Sequence, residues 1–323
     1  MENRHLFRNK NKYIKAKNLL EEGDFKNSLK LFNVLLNKNY EVFSVLFNLI
    51  TIHNKLNSLD TLLNQIDELL TDDSYNRVEL LIHKGYIFYL KKNYKNAIQC
   101  FDEVLNIDSN NLWAYFYKYK VNYELKENLD LCGLFNRIKT ESVDYYLLFL
   151  VGEFFLELNM LDKSLFCLNE SIKKYPKDSV VWRDKGMILN LLEKYPEAIS
   201  AFNNSLKLKN DFIVWDLKGR TYYCMNDYNN SLKSFNQSLK LNPNNLKTLK
   251  NKMILLSEMG DLEESLTYCN KILQIDEEDI NVWNFKLDIL QKLNKYEELN
   301  LFHKKALKKF NKNPYLKKIN DIQ

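Results

Sequence analysis

The sequence predicts an all-α solenoid of stacked helix pairs, and three observations carry that prediction. The chain has only 7 Gly and 4 Pro in 323 residues, far below the usual share of roughly 7% and 5%. So few turn-makers exclude a collagen-like chain, a Pro/Gly-rich linker protein and most all-β sandwiches, which need a turn about every 8–12 residues. The chain also repeats itself about every 34 residues, with Trp182, Trp215 and Trp283 standing 33 and 68 residues apart. Within each period, apolar residues recur twice at the spacing of an amphipathic helix of about 12–14 residues, with a short break between. A hydrophobic fraction of 46% is too high for a disordered chain.

The register follows from small and large residues in phase. Gly186 and Gly219 come four residues after Trp182 and Trp215, and Gly85 and Gly152 follow Leu81 and Leu148 by the same step. Ala198 lies sixteen residues after Trp182, with Phe202 four further on; the phase mates are Ala97 and Phe101, Ser231 and Phe235, and Ser265 and Cys269. Extending this phase gives nine repeats: 9–42, 43–77, 78–111, 112–144, 145–178, 179–211, 212–245, 246–279 and 280–313. Positions are counted below as slots from the first residue of each repeat. Residues 1–8 are expected to be a flexible arm, and 314–323 a short cap in which Leu316, Ile319 and Ile322 cover the last repeat.

Each repeat then reads as two helices. The first repeat turns at EEGDF (21–25) and the eighth at EMGDL (258–262). In the sixth, VWRDKGMILNLL forms the first helix and PEAISAFNNSLKL the second, with Pro196 where a missing N–H is tolerated. Gly at slot eight and Ala or Ser at slot twenty let two helix backbones approach, and large residues at slots four, eleven and twenty-four fill the space around them. One pair cannot bury its apolar face alone, so neighbours must stack. Leu62, Leu131 and Leu299 break the rule at slot twenty. Gly133 falls inside a second helix, at a cost of roughly 1 kcal/mol relative to Ala, so distortion is expected near 125–144.

These residues resemble the tetratricopeptide-repeat family. The resemblance rests on Trp182/Gly186/Ala198/Phe202, Trp215/Gly219/Tyr222/Ser231/Phe235/Pro243, Gly85/Phe88/Ala97/Phe101 and Gly152/Phe155/Ser164/Pro176, and it covers about 305 of 323 residues. It implies a right-handed superhelical solenoid whose ligands lie on a concave face, lined at slots two, five, nine, twelve and thirteen of the first helices. Mapped onto this chain, those slots supply Tyr86, Tyr89, Trp113, Phe116, Tyr123, Tyr146 and Phe149 over 78–178, with Glu153 and Glu157 at the margin. Over 179–279 they supply Arg183, Asp216, Arg220, Tyr223 and Lys250. The first set reads either as anchors for a peptide or helix or as packing, and packing is the favoured reading. Some family members hold an acidic C-terminal tail through a clamp of Lys, Asn and Arg. Here Asn48 matches one element, but Tyr13, Glu79 and His83 stand where cations belong, so that clamp is absent.

The remaining chemistry points away from catalysis. His5, His53, His83 and His303 lie in different places with no ligand-like spacing, and His303 takes a core aromatic slot. No phosphate-cradling, nucleophile-elbow or zinc-protease motif occurs. Pairs such as Glu263/Glu264 and Glu297/Glu298 open second helices, where they complement the helix dipole. Cys100, Cys167 and Cys269 sit at core slots, and the five cysteines form neither a disulfide framework nor a zinc pattern. The expectation is a non-enzyme without cofactor or metal. Lys15, Lys84, Lys118, Lys185, Lys218, Lys252 and Lys286 all occupy slot seven, and recurrence in seven repeats favours a scaffold role over a site.

Net charge is +5, distributed as +4 over 1–30, +6 over 292–323 and −5 between. Acidic residues beside the aromatic slots disfavour single-stranded nucleic-acid binding, the alternative reading. A protein or peptide partner is expected instead, with a regulatory subunit of a partner enzyme as a third reading. With no apolar run of membrane length and no secretory leader pattern, the chain is expected in the cytoplasm. It is expected to be a monomer, with an end-to-end dimer as the alternative.

Overall fold

A computed structural model describes residues 2–127 and 130–310, and every regular element among them is a helix. The predicted all-α fold is therefore present, arranged in two compact units, Met1–Val143 and Asp144–Gln323. The first unit holds α1 (Glu2–Glu21), α2 (Phe25–Leu36), α3 (Val42–Lys55), α4 (Leu59–Leu69), α5 (Arg77–Leu90), α6 (Tyr94–Ile107), α7 (Leu112–Glu124) and α8 (Leu131–Thr140). The second holds α9 (Tyr145–Glu157), α10 (Leu161–Lys174), α11 (Ser179–Leu191), α12 (Tyr195–Leu208), α13 (Phe212–Cys224), α14 (Tyr228–Leu241), α15 (Leu246–Met259), α16 (Leu262–Ile275), α17 (Ile280–Lys292) and α18 (Tyr296–Lys309). In each unit a helix packs chiefly on its neighbours in sequence, while successive first helices also touch, as α3 does α5 and α11 does α13. That nearest-neighbour pattern is what a solenoid requires.

One left-handed residue ends the first helix of every pair. It is Gly23 or Gly260 in two repeats and Asn57, Asn159, Asn226 or Asn294 in four; Lys92, Lys126 and Glu193 complete the set, all with φ between 52° and 88°. Gly and Asn bear this conformation best, which is why a chain so poor in Gly can still turn nine times.

Within a pair, the slot-eight glycine accommodates a ring. A Cβ built on Gly186 would lie 2.5 Å from the Phe202 ring, and one on Gly85 equally close to Phe101. The glycine therefore makes room for slot twenty-four rather than for the small residue at slot twenty. Serine at slot twenty forms a hydrogen bond across the pair. Ser28, Ser164, Ser231 and Ser265 each donate to the slot-eight carbonyl, of Ala16, Gly152, Gly219 and Met253, at 2.6–2.9 Å. These bonds satisfy buried hydroxyls and pin the two backbones together.

Two expectations need correction. Residues 2–8 belong to α1 and are helical, not an arm. Leu131 begins α8 instead of filling a small-residue slot, because the link from α7 is three residues longer than that from α5 to α6. Leu134 and Ile138 are the residues α8 buries. Gly133 lies in the first turn, where its N–H donates to Asp130 Oδ1 at 2.8 Å, so it carries a capping bond and not a mid-helix penalty. The cap at 314–323 lies outside the described residues.

With ten residues and two buried positions, α8 has little to hold it down. Amide exchange over residues 131–140 is expected to be faster than over α11–α14, and equal protection would remove the idea of a weak point there.

Candidate functional site

The first helices lie side by side within each unit, and polar bonds between successive ones mark their shared face. In the first unit Asn48 donates to the Tyr13 hydroxyl at 3.3 Å, and the Tyr89 hydroxyl donates to Glu124 at 3.4 Å. In the second, Asn251 donates to Asp216 at 3.0 Å and the Tyr223 hydroxyl donates to Glu258. Each link spans 35 residues, one repeat. Slot five therefore meets slot six of the next repeat, and slot twelve meets slot thirteen.

On the first unit this face is filled with rings. Trp113 lies 4.8 Å from Phe43 and 5.5 Å from Phe47, while Tyr86 lies 5.7 Å from Phe47 and stacks at 4.8 Å on Tyr117. His83 sits among them, fully buried, with Phe43 and Phe47 edge-on at 4.6 and 4.8 Å. Its Nδ1 lies 2.7 Å from the Glu79 carbonyl, which sets the Nδ1–H tautomer. Nε2 has no hydrogen-bond partner. Tyr86, Tyr89 and Trp113 are half-buried and Tyr123 is exposed, so their outer surfaces remain reachable. Phe116 is 2% exposed and belongs to the core.

In the second unit Tyr146 is half-buried against Phe149 at 6.1 Å. Phe149 itself is buried with Leu168, Ile172, Val181 and Ile188. Phe116 and Phe149 therefore leave the set of candidate contacts, since each would have to abandon its packing to meet a ligand.

Of the polar set, Arg183, Tyr223 and Lys250 are half-buried and Arg220 is exposed, whereas Asp216 is buried. Arg183 Nε donates to Asp184 Oδ1 at 2.7 Å, Lys250 pairs with Asp279, and Asp216 is buried under its bond from Asn251. The Tyr223 hydroxyl is pushed up to about 12, mainly because Glu258 accepts its proton in a hydrogen bond. Arg220 is exposed and borders a small hollow with Met187, Asn190 and Leu191. The face is a row of held, oppositely charged groups with Arg220 standing free of the row.

Among the described residues, six of the seven slot-seven lysines are tied to the scaffold, Lys15 being the exception. Lys84 reaches Asp67 at 2.6 Å, Lys118 reaches Asp102, Lys218 reaches Asn203 at 2.7 Å and Lys286 reaches Asn270 at 2.6 Å, always slot twenty-five of the preceding repeat. Lys252 turns instead to the Tyr268 hydroxyl at 2.6 Å, and Lys185 lies over the Trp182 ring. The acceptors at slot twenty-five were legible in the sequence as Asp or Asn in one phase.

Two rings of the first unit's face, Phe43 and Tyr117, fall outside the mapped slots, while Phe47 takes slot five of the second repeat. More consequentially, Leu6 and Phe7 lie on α1 and not on an arm. With Tyr13, Ile14, Tyr40 and Ser44 they line a groove of about 680 Å³.

Comparison with known proteins agrees with this architecture. The tetratricopeptide-repeat family model matches residues 78–111 and 212–245, with the same bounds that the sequence period sets. TPR repeat-containing protein MJ1428 of Methanocaldococcus jannaschii is 25% identical over 306 residues, covering 88% of this chain and 45% of that protein. The chain thus spans just under half the length of this relative. Among solved structures, a chain of the APC/C hetero-tetramer Cut9–Hcn1 aligns with a TM-score of 0.54 at 14% identity, over 85% of this chain and 54% of that one, a likeness of fold. The chain thus contains tetratricopeptide repeats at 78–111 and 212–245, and the helix pairs around them share that fold.

Proposed function

We propose that this tetratricopeptide-repeat protein is a non-catalytic scaffold that binds a peptide or helical segment of a partner protein along the faces of its first helices. The observation that carries the reading is the polar row on α11, α13 and α15. Arg183, Asp216, Tyr223 and Lys250 are already fixed by neighbouring side chains, and Arg220 is exposed beside them. Groups held in place before binding lose little freedom when a ligand arrives, which keeps the ordering cost low. Half-buried Tyr86, Tyr89 and Trp113 give the first unit aromatic surface of the kind that dominates interface energetics.

Several reactive-looking groups are occupied structurally, which supports the absence of chemistry. Burial pushes the thiols of Cys100, Cys167 and Cys269 up to about 11, 12 and 12, so they are poor nucleophiles. Glu263, Glu264 and Glu298 open second helices and pair with Lys295, Lys252 and Lys286.

Selection from a displayed random-peptide library tests the proposal. Selected peptides should lose roughly tenfold or more in affinity on Arg220→Ala with Tyr223→Ala, or on Tyr89→Ala with Tyr86→Ala, at an unchanged melting temperature. Binders indifferent to both pairs would overturn the assigned faces. Tight, steeply salt-dependent binding of single-stranded RNA with no peptide selected would favour the nucleic-acid reading instead.

A further inference from the structure

We propose that the start of the first unit receives an acidic amphipathic segment of a partner protein, seated in the groove between α1 and the beginning of α3. The inference rests on the scaffold reading above and names the chemistry of one partner segment. Leu6, Phe7 and Ile14 line the groove and are 64%, 66% and 48% exposed. Single exposed apolar residues are ordinary. Here three share one helix face and continue into half-buried Tyr13 and Tyr40, forming a concave apolar patch.

Charge identifies the occupant. Between Leu6 and Leu20, α1 carries Arg8, Lys10, Lys12, Lys15 and Lys17 and no acid. Among the described residues none of the five forms an ion pair, whereas Lys84 and Lys118 of the same unit are matched to Asp67 and Asp102. Such an uncompensated cluster attracts carboxylates and raises their encounter rate. Lys10 lies on the groove, and Lys17 follows it by seven residues on the same helix face. The opposite rim is acidic: Glu41 lines the groove and also helps to hold the Glu79 carboxyl above its usual range, behind burial as the main cause. The groove is therefore polarised, and the bound segment's carboxylates belong along the α1 edge.

Two other classes of occupant fit less well. A bilayer surface is broad and anionic, while this site is a hollow with a carboxylate on one rim. Single-stranded nucleic acid stacks on open rings. Of the groove's three rings only Phe7 is exposed, and Tyr13 is engaged by the Phe32 ring at 5.8 Å and by Asn48.

The test uses the full chain and two synthetic helical peptides with one leucine stripe, flanked by Glu in one and by Lys in the other, read by fluorescence anisotropy. The acidic peptide should bind at least roughly tenfold more tightly at low salt, a difference of about 1.4 kcal/mol. Leu6→Asp with Phe7→Asp should abolish that binding, since both side chains are exposed and the melting temperature should hold. Lys10→Glu with Lys17→Glu should weaken it several-fold and improve binding of the basic peptide, while Arg220→Ala should change nothing. Equal affinity for the two peptides, or no binding of the acidic one at millimolar concentration, overturns the proposal. So does a self-association that Phe7→Asp abolishes, or stronger binding of phosphatidylserine vesicles or oligo(dT) through the same residues. If peptides bind only through Arg220 and Tyr223, this inference fails while the scaffold reading stands.

Discussion

Replacing Gly219 by alanine is expected to destabilise the protein by about 1–3 kcal/mol, although the same change on an exposed helix would stabilise it by roughly 1 kcal/mol. The sign reverses because the new Cβ would lie 2.6 Å from two carbons of the Phe235 ring. Phe235 is 1% exposed and cannot step aside. Denaturant unfolding should show a lower midpoint, with faster amide exchange concentrated in α13 and α14, because a repeat array transmits a lesion mainly to its neighbours. The pairing is testable through its partner. Phe235→Leu alone opens a cavity and destabilises, but it also frees the space that alanine needs. The double variant should therefore be more stable than the sum of the single effects by roughly 1 kcal/mol or more. Additive losses, or a stabilising Gly219→Ala, would show that ring and glycine are not coupled.

That coupling bears on what could be read in the sequence. Gly85, Gly152, Gly186 and Gly219 announced the period, and the helix pairs fall where their phase puts them. Which atom fills the missing side chain was not legible, since slots twenty and twenty-four both recur in phase and only packing separates them. The break at α8 failed differently. Leu131 and Gly133 appeared to violate the pattern because a fixed step of about 34 hides three extra residues in a link, and the phase resumes at Leu134 and Ile138. Asp130, three residues before Gly133, is the capping signal that would have restored the register.

For the site, polarity was more legible than contact. Arg183, Arg220, Tyr223 and Lys250 remain at least partly exposed, as polar groups at helical spacing usually do, whereas Asp216 is buried. Aromatic residues carry no such information. Phe116 and Trp113 are three residues apart on one helix, yet one is core and the other half-exposed. The α1 groove was missed because the period begins at residue 9, whereas the helix begins at Glu2.

Acidification is expected to weaken the first unit through His83. Burial among Phe43, Phe47 and other packed groups holds its pKa at about 4, against an ordinary 6.5, and outweighs the Glu79 and Phe43 backbone carbonyls, which pull it up. Above pH 6.5 the ring is neutral in folded and unfolded chains alike, and it contributes nothing pH-dependent. Between 6.5 and 4 the unfolded chain takes up the proton and the folded one does not, so stability falls with falling pH. The loss is about 3 kcal/mol by pH 4 and is complete only below it, at roughly 1.4 kcal/mol per pH unit between the two values. Glu79 works in the opposite sense: burial first, and Glu41 second, raise its carboxyl, so acid relieves a cost there. The two are separated by comparing the protein with His83→Leu, which keeps Glu79. Unfolding midpoints of the two proteins should differ little in their trend above pH 6.5 and diverge below it, the native protein falling faster. Titration of the His83 ring followed by NMR reads the same quantity directly. Parallel midpoints from pH 7.5 to 4, or a ring that titrates near 6.5, would mean that water or a hydrogen-bond acceptor reaches Nε2 and that the ring cluster is open.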